Sequence, residues 1–217
     1  MKKILAVVCV LTILLCSCSK TEYLNRVESE DGNGYVMEIY TDETMTTMTG
    51  FERYDANDVM QLKVEHSYDK RGNRTKTVQY DEDLNIVQTI EWSYDKNGNN
   101  TVISWKDQNN IETTRIENYY DDNGIKTESR TYYEDILESK TEYKSDGTGN
   151  EFGLQDRIET KYNIDGTVKG YTVEEFDSAG YQTSKGYTPD WVIQYSIQYT
   201  PDGPIEIYYD ENGNVKE

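Results

Sequence analysis

The feature that most constrains this chain is a six-residue string that returns three times almost unchanged. It reads Tyr68-Asp69-Lys70-Arg71-Gly72-Asn73, then Tyr94-Asp95-Lys96-Asn97-Gly98-Asn99, then Tyr209-Asp210-Glu211-Asn212-Gly213-Asn214. Looser copies start at Tyr120, Tyr143, Tyr162, Phe176 and Tyr199, and degenerate ones at Tyr40, Tyr54, Tyr80, Trp105, Tyr133 and Tyr187. The mean spacing of about 13 residues leaves room for one short strand per copy and nothing longer.

The chemistry of the string is that of a hairpin turn. Asp at the first turn position accepts a hydrogen bond from a backbone N–H two residues on, and Gly takes the left-handed conformation of a type I turn closed by a bulge. Where Gly is missing, Asp58 and Asn109 stand in, two side chains that tolerate that conformation, and Trp191 replaces it after Pro189-Asp190. Pro189 and Pro201 take the second turn position, where a fixed φ is wanted, and no proline falls inside a proposed strand.

Between turns the residues alternate: Met60, Leu62, Val64, His66, Tyr68; Ile86, Gln88, Ile90, Trp92, Tyr94; Ile193, Tyr195, Ile197, Tyr199; Ile205, Ile207, Tyr209. That period predicts strands of six to nine residues, with the aliphatic positions and the motif tyrosine on one inner face and Thr, Glu, Lys, Gln and Ser on a wetted one. Short turns between successive strands force an antiparallel meander. Fourteen strands at ~4.8 Å make a ribbon about 65 Å wide, beyond what a flat open sheet sustains. The expected fold is all-β: a curled antiparallel meander of short hairpin repeats, either one twisted sheet or a partial shell.

These copies resemble the YD repeats of the Rhs family, over about residues 40 to 217. The resemblance implies strands wound into a curled sheet or shell, and a ligand-binding or scaffold role. Fourteen short units are few for the closed shell that encloses a guest protein in large Rhs proteins. MORN-type repeats, also rich in Tyr and Gly, are the nearest alternative and imply a similar hairpin ribbon.

The N-terminus gives an address. Lys2 and Lys3 precede an apolar run from Ile4 to Leu15 that is broken only by Thr12. Twelve residues at 1.5 Å rise fall short of a ~30 Å hydrocarbon core, so an export signal fits better than a membrane span. The end, Leu15-Cys16-Ser17-Cys18, resembles a bacterial lipobox, which implies lipidation at Cys18 and removal of residues 1–17. Residues 18–34 are expected as a lipidated tether, with a hairpin turning at Asp31 to Gly34 as the alternative, and 35–217 as the repeat domain. All three cysteines lie within the first eighteen residues, so nothing downstream can form a disulfide.

Composition then bounds function. A formal charge of -19 repels phosphate backbones and anionic headgroups, which sets nucleic acid aside and leaves the lipid as the membrane contact. His66 is the only histidine and no second His or downstream Cys can pair with it, so zinc and Cys-His or Ser-His chemistry have no material. Acidic pairs such as Asp121-Asp122 and Glu174-Glu175 keep a carboxylate glycoside hydrolase as a remote alternative, although 41 acidic residues make chance pairs common. Asp81-Glu82-Asp83 with Asn85, and Asp121, Asp122 and Asn123, offer oxygens to calcium without the usual loop spacing, so no metal and no cofactor is expected. Aromatic residues off the inner-face pattern are the better candidates. Tyr119, Tyr132, Tyr208 and Tyr171 are expected to point outward with Trp191, and flat rings beside carboxylates and amides suit the faces of sugars. The competing reading makes them cross-strand pairs in a structural or protein-contact surface. The expected protein is a non-catalytic, exported, lipid-anchored module that binds a polysaccharide or surface protein.

Overall fold

The computed structural model describes residues 22–30, 32–143, 156–177 and 179–216. Residues 1–21, among them Cys18, and residues 31, 144–155, 178 and 217 lie outside the described residues. The strands are β1 (Tyr23–Glu28), β2 (Gly34–Tyr40), β3 (Met48–Asp55), β4 (Met60–Tyr68), β5 (Arg74–Tyr80), β6 (Ile86–Tyr94), β7 (Asn100–Lys106) and β8 (Glu112–Tyr120). There follow β9 (Lys126–Tyr133), β10 (Ile136–Tyr143), β11 (Arg157–Tyr162), β12 (Val168–Phe176), β13 (Gln182–Tyr187), β14 (Ile193–Thr200) and β15 (Gly203–Tyr208). They form one sheet in sequence order, an antiparallel meander that is not closed, with β1 and β15 as its edges. The chain divides into two compact units, Met1–Trp92 with Trp105–Glu112, and Ser93–Ser104 with Thr113–Glu217.

The turns account for every position of the repeated string. At Asp69 the backbone N–H donates to Asn73 O (2.9 Å), and Gly72 N–H donates to Asp69 O (3.1 Å). The Asp69 carboxylate accepts from the N–H groups of Arg71 (2.8 Å) and Asn73 (2.9 Å), and the Asn73 amide closes on its second oxygen at 3.0 Å. Asp95 with Asn97 and Asn99, and Asp210 with Asn212 and Asn214, repeat the arrangement. These donors hold the carboxyls of Asp69, Asp95 and Asp210 below the usual range, the Asn side chain leading at the first two and the Asn214 N–H at the third.

At two of the copies the motif tyrosine fastens its strand to the neighbouring strand before it. Tyr68 donates its hydroxyl to Met48 O (2.6 Å) and Tyr120 to Asn100 O (2.8 Å), each reaching back twenty residues to the start of a strand on the same rim.

Four sequence expectations fail here for identifiable reasons. Residues 18–34 are not a tether throughout, because β1 pairs with β2 from Tyr23↔Tyr40 to Glu28↔Tyr35, and Ser29 N–H closes the turn on Gly34 O. The left-handed residue at the turn after β7 is Asn110 (φ 63), not Asn109, because the turn opens at Asp107 and Lys106, not Trp105, holds the motif position. Pro204 lies inside β15, opposite Tyr199. Tyr209 N–H bonds Gln194 O and Tyr208 O receives Lys216 N–H, so even-numbered residues of this edge strand turn their backbone away from β14, where a missing N–H costs little.

The fourth correction concerns the faces. Motif tyrosines pair six residues ahead across the turn, as in Tyr54↔Met60, Tyr68↔Arg74 and Tyr80↔Ile86, and each pair sits beside a one-residue bulge. The extra residue inverts parity. Tyr40 and Tyr68 therefore lie on one face of the first unit, with Phe51, Val64 and Ile90, while Tyr54 and Tyr80 lie on the other, with Glu52, Lys63, Glu65 and Glu91. No single inner face exists, and neither face holds a thick core. Among the described residues Val64 is the one buried hydrophobic side chain, and the remaining buried side chains are small and polar: Thr77, Thr89, Ser104, Asn118, Ser139, Thr160 and Ser184. His66 is half-buried, 2.9 Å from Thr77 Oγ1 through Nδ1, and burial followed by Arg74 lowers its pKa.

Candidate functional site

The second unit sorts the five candidate rings into three places. On β12 and β13, Tyr171 stands directly opposite Tyr187, and the next pair on that face is Val173 opposite Lys185. Trp191, in the turn that leaves β13, leans back across that strand to stack on Tyr171 at 4.2 Å and 15° between planes. It also meets Tyr187 at 5.4 Å and 49°. Its backbone is left-handed (φ 59), where the equivalent residues Gly72, Gly98, Gly124, Gly166 and Gly213 have φ between 80 and 91. The turn is otherwise regular: Trp191 N–H donates to Thr188 O (3.0 Å), and Thr188 Oγ1 accepts from Val192 N–H (3.0 Å) in place of the usual Asp.

Tyr119 and Tyr132 occupy a different part of the same face and are engaged by their neighbours. Arg130 lies over the Tyr119 ring at 4.9 Å and Arg115 over Tyr132 at 4.5 Å. Glu117 accepts from both hydroxyls, at 2.8 and 3.4 Å, and its bond raises the Tyr119 pKa more than burial does. Glu128, Arg130, Lys140 and Glu142 extend the network through contacts of 2.6 to 3.2 Å. This is cross-strand stabilisation of a polar sheet face.

Tyr208 falls on the opposite face, a correction that follows from the bulges. It pairs with Tyr195, Tyr195 pairs with Gly186, and Gly186 pairs with Thr172, one residue out of phase with Tyr171. Its hydroxyl is held by Glu206 at 2.9 Å, which raises its pKa. The structure thus brings Trp191 and Tyr171 together and leaves Tyr119, Tyr132 and Tyr208 apart from them. Sequence reasoning missed Tyr187, which it classed as a turn tyrosine, and the Lys185–Glu175 pair (2.9 Å) on the same face. That hydrogen bond is the main reason the Lys185 pKa is raised.

The Tyr171–Tyr187–Trp191 group differs from the Tyr35–Tyr54 stack, over which Arg26 lies, in what covers it. Cations lie over Tyr35, Tyr80, Trp92, Tyr119, Tyr120, Tyr132 and Tyr143 at 3.6 to 6.0 Å. Among the described residues none lies over Tyr171, Tyr187 or Trp191, and their hydroxyls and indole N–H make no hydrogen bond. Trp191 is 49% exposed. An open ring face beside three unengaged donors offers what a sugar presents in complement, apolar C–H patches ringed by oxygens.

Turn carboxylates are engaged elsewhere. Asp81 accepts from Asp83 N–H, Asn85 N–H and the Asn85 amide, and Asp121 from the N–H groups of Asn123 and Ile125. Among the described residues no group of three or more His, Cys, Asp or Glu is placed to hold a metal ion, and no helix is long and apolar enough to cross a membrane.

Among the solved structures similar to this chain are two of low identity. The crystal structure of TcdB2-TccC3 without its hypervariable C-terminal region is 13% identical, with a TM-score of 0.23 over 90% of this chain and 15% of that one. The crystal structure of a porin-like protein from Bacteroides uniformis ATCC 8492 is 11% identical, with a TM-score of 0.32 over 90% of this chain and 87% of that one. This chain thus spans about 15% of the length of the first. No family model matches the chain, and no curated protein matches it.

Proposed function

We propose that this chain is an exported lipoprotein, lipidated at Cys18 and held to a cell-envelope membrane, whose YD-like repeat domain is a non-catalytic module that binds glycans. The observation that carries the reading is the Tyr171–Tyr187–Trp191 group, in which Trp191 is exposed, with an open ring face and unengaged donors on a sheet where several other rings lie under Arg or Lys. A mostly preformed surface on strands suits repeated capture of a polymer better than turnover, since little must be ordered on binding.

The test is a binding screen of the full chain, in a detergent without a sugar headgroup, against host and microbial polysaccharides, read by Trp fluorescence and confirmed by calorimetry. Saturable binding with a Trp shift is expected. Absence of binding across the panel moves the weight to a second reading, a structural or protein-contact surface, which the Arg–Tyr–Glu network around Glu117 favours. Lipidation is checked separately: incorporation of labelled fatty acid that survives Cys18→Ser discards Cys18 as the anchored residue.

A further inference from the structure

We infer that the Tyr171–Tyr187–Trp191 surface selects uncharged polysaccharide and rejects polyanions built on the same backbone. The inference rests on the glycan reading above and adds the ligand's charge class.

The argument starts from what the surface lacks. A carboxylated or sulfated sugar needs a free cation, above all an Arg fork, to replace the water it loses. Lys185, on the same face as Tyr171, is committed to Glu175 at 2.9 Å. The rim next to Trp191 is acidic. Asp190 precedes Trp191 in its own turn, and the turn joining β11 to β12 carries Asp165 on the same rim. A third turn there carries Asp210 and Glu211 and lies against the Trp191 turn: a Cβ built on Gly213 would be 3.8 Å from Val192 and Ile193. Lys169, on the bulge that opens β12, and Lys216, which faces Asp210, are the cations set against these four carboxylates. The local balance is therefore negative, within a chain of net charge -19. Donors remain: two tyrosine hydroxyls and one indole N–H, each able to meet a sugar hydroxyl at no electrostatic cost.

The test measures matched pairs, dextran against dextran sulfate and hydroxyethylcellulose against carboxymethylcellulose, together with the polysaccharide panel, on the full chain. The neutral member of a pair is expected to bind at least about tenfold more tightly at 20 mM NaCl, and the gap to narrow by 500 mM as screening shortens the reach of the rim carboxylates. Trp191→Gly, which installs the residue that sister turns carry at the same φ, is expected to abolish neutral binding while the far-UV spectrum is unchanged. Equal or tighter binding of the charged member, or neutral binding that survives Trp191→Gly and Tyr171→Ala, overturns this inference and leaves the glycan reading standing. No binding to any polysaccharide, charged or neutral, overturns both.

Discussion

Trp191 sits where a bulky side chain is rarely found. Holding a non-glycine residue at positive φ costs on the order of 1–3 kcal/mol, and a stacked aromatic pair returns about 0.5–1.5 kcal/mol. The two terms nearly cancel, so stability alone gives little reason for tryptophan over glycine at this turn. They also separate two substitutions. Trp191→Gly removes the strain with the stack and is expected to leave Tm within about 3 °C; Trp191→Ala keeps the strain, loses the stack and is expected to lower Tm by about 2–4 °C. Scanning calorimetry on both variants decides it, and equal losses would show that the backbone carries no strain. The motif tyrosines allow a similar contrast. Met48 O accepts the Tyr68 hydroxyl, whereas Asn100 O keeps the Asn118 amide (3.2 Å) if Tyr120 withdraws. Tyr68→Phe is expected to cost about 1–2 kcal/mol in urea unfolding and Tyr120→Phe clearly less.

At the scale of strands and turns, the sequence carried the meander, the turn chemistry and most strand positions, because Asp, Asn and Gly announce backbone geometry locally. Asp and Gly also mark the bulge that closes each turn, but not its consequence for the faces. The extra residue beside the motif tyrosine inverts the face of everything that follows, which separates Tyr208 from Tyr171 and makes the motif tyrosines alternate where the sequence pattern alone predicts one inner face. Trp191 could be picked out because it replaces a glycine, and Tyr171 because it broke the pattern; Tyr187 needed the register, where it stands opposite Tyr171. Close packing between strands shows at glycines such as Gly50 and Gly186. A Cβ at Gly50 would stand 2.3 Å from Val64 O, backbone that is fixed by the β3–β4 pairing, while one at Gly186 would stand 2.1 Å from the Tyr195 ring, which can swing away. Gly50→Ala is therefore expected to cost more than about 3 kcal/mol, and Gly186→Ala about 1–3 kcal/mol. Denaturant midpoints of the two variants test the ranking, and a smaller loss at Gly50 would contradict it.

Over the whole molecule, two electrostatic effects compete. Ion pairs at 2.6 to 3.9 Å cross the strands in both units, and each exposed pair contributes up to about 1 kcal/mol. Against them stands the mutual repulsion of a chain at -19. Salt separates the two by distance. Between about 20 and 500 mM NaCl the screening length falls from roughly 20 Å to roughly 4 Å, which removes repulsion between distant charges and largely spares contacts inside that length. Tm at pH 7 is therefore expected to rise with salt, and a fall would mean that the ion pairs dominate. Acid acts through the turns. Asp42, held at about 2 by Thr44 and Thr46, and Asp69, Asp95 and Asp210, all depressed by their donors, contribute stability that is present above the ordinary carboxylate range and lost as pH falls through their lower folded values. His66 has the same sign: its neutral form is favoured, so its contribution is present above the ordinary imidazole range and lost as pH falls through its lowered value. Thermal midpoints are expected to drop steeply below about pH 4, where the turn carboxylates protonate together. The sequence pI near 4.4 supplies the control, because there the excess charge is gone while most depressed carboxylates are still ionised. If repulsion is the origin of the salt response, that response vanishes near this pH; a rise as large as at pH 7 would assign it to salting-out of the exposed apolar side chains instead.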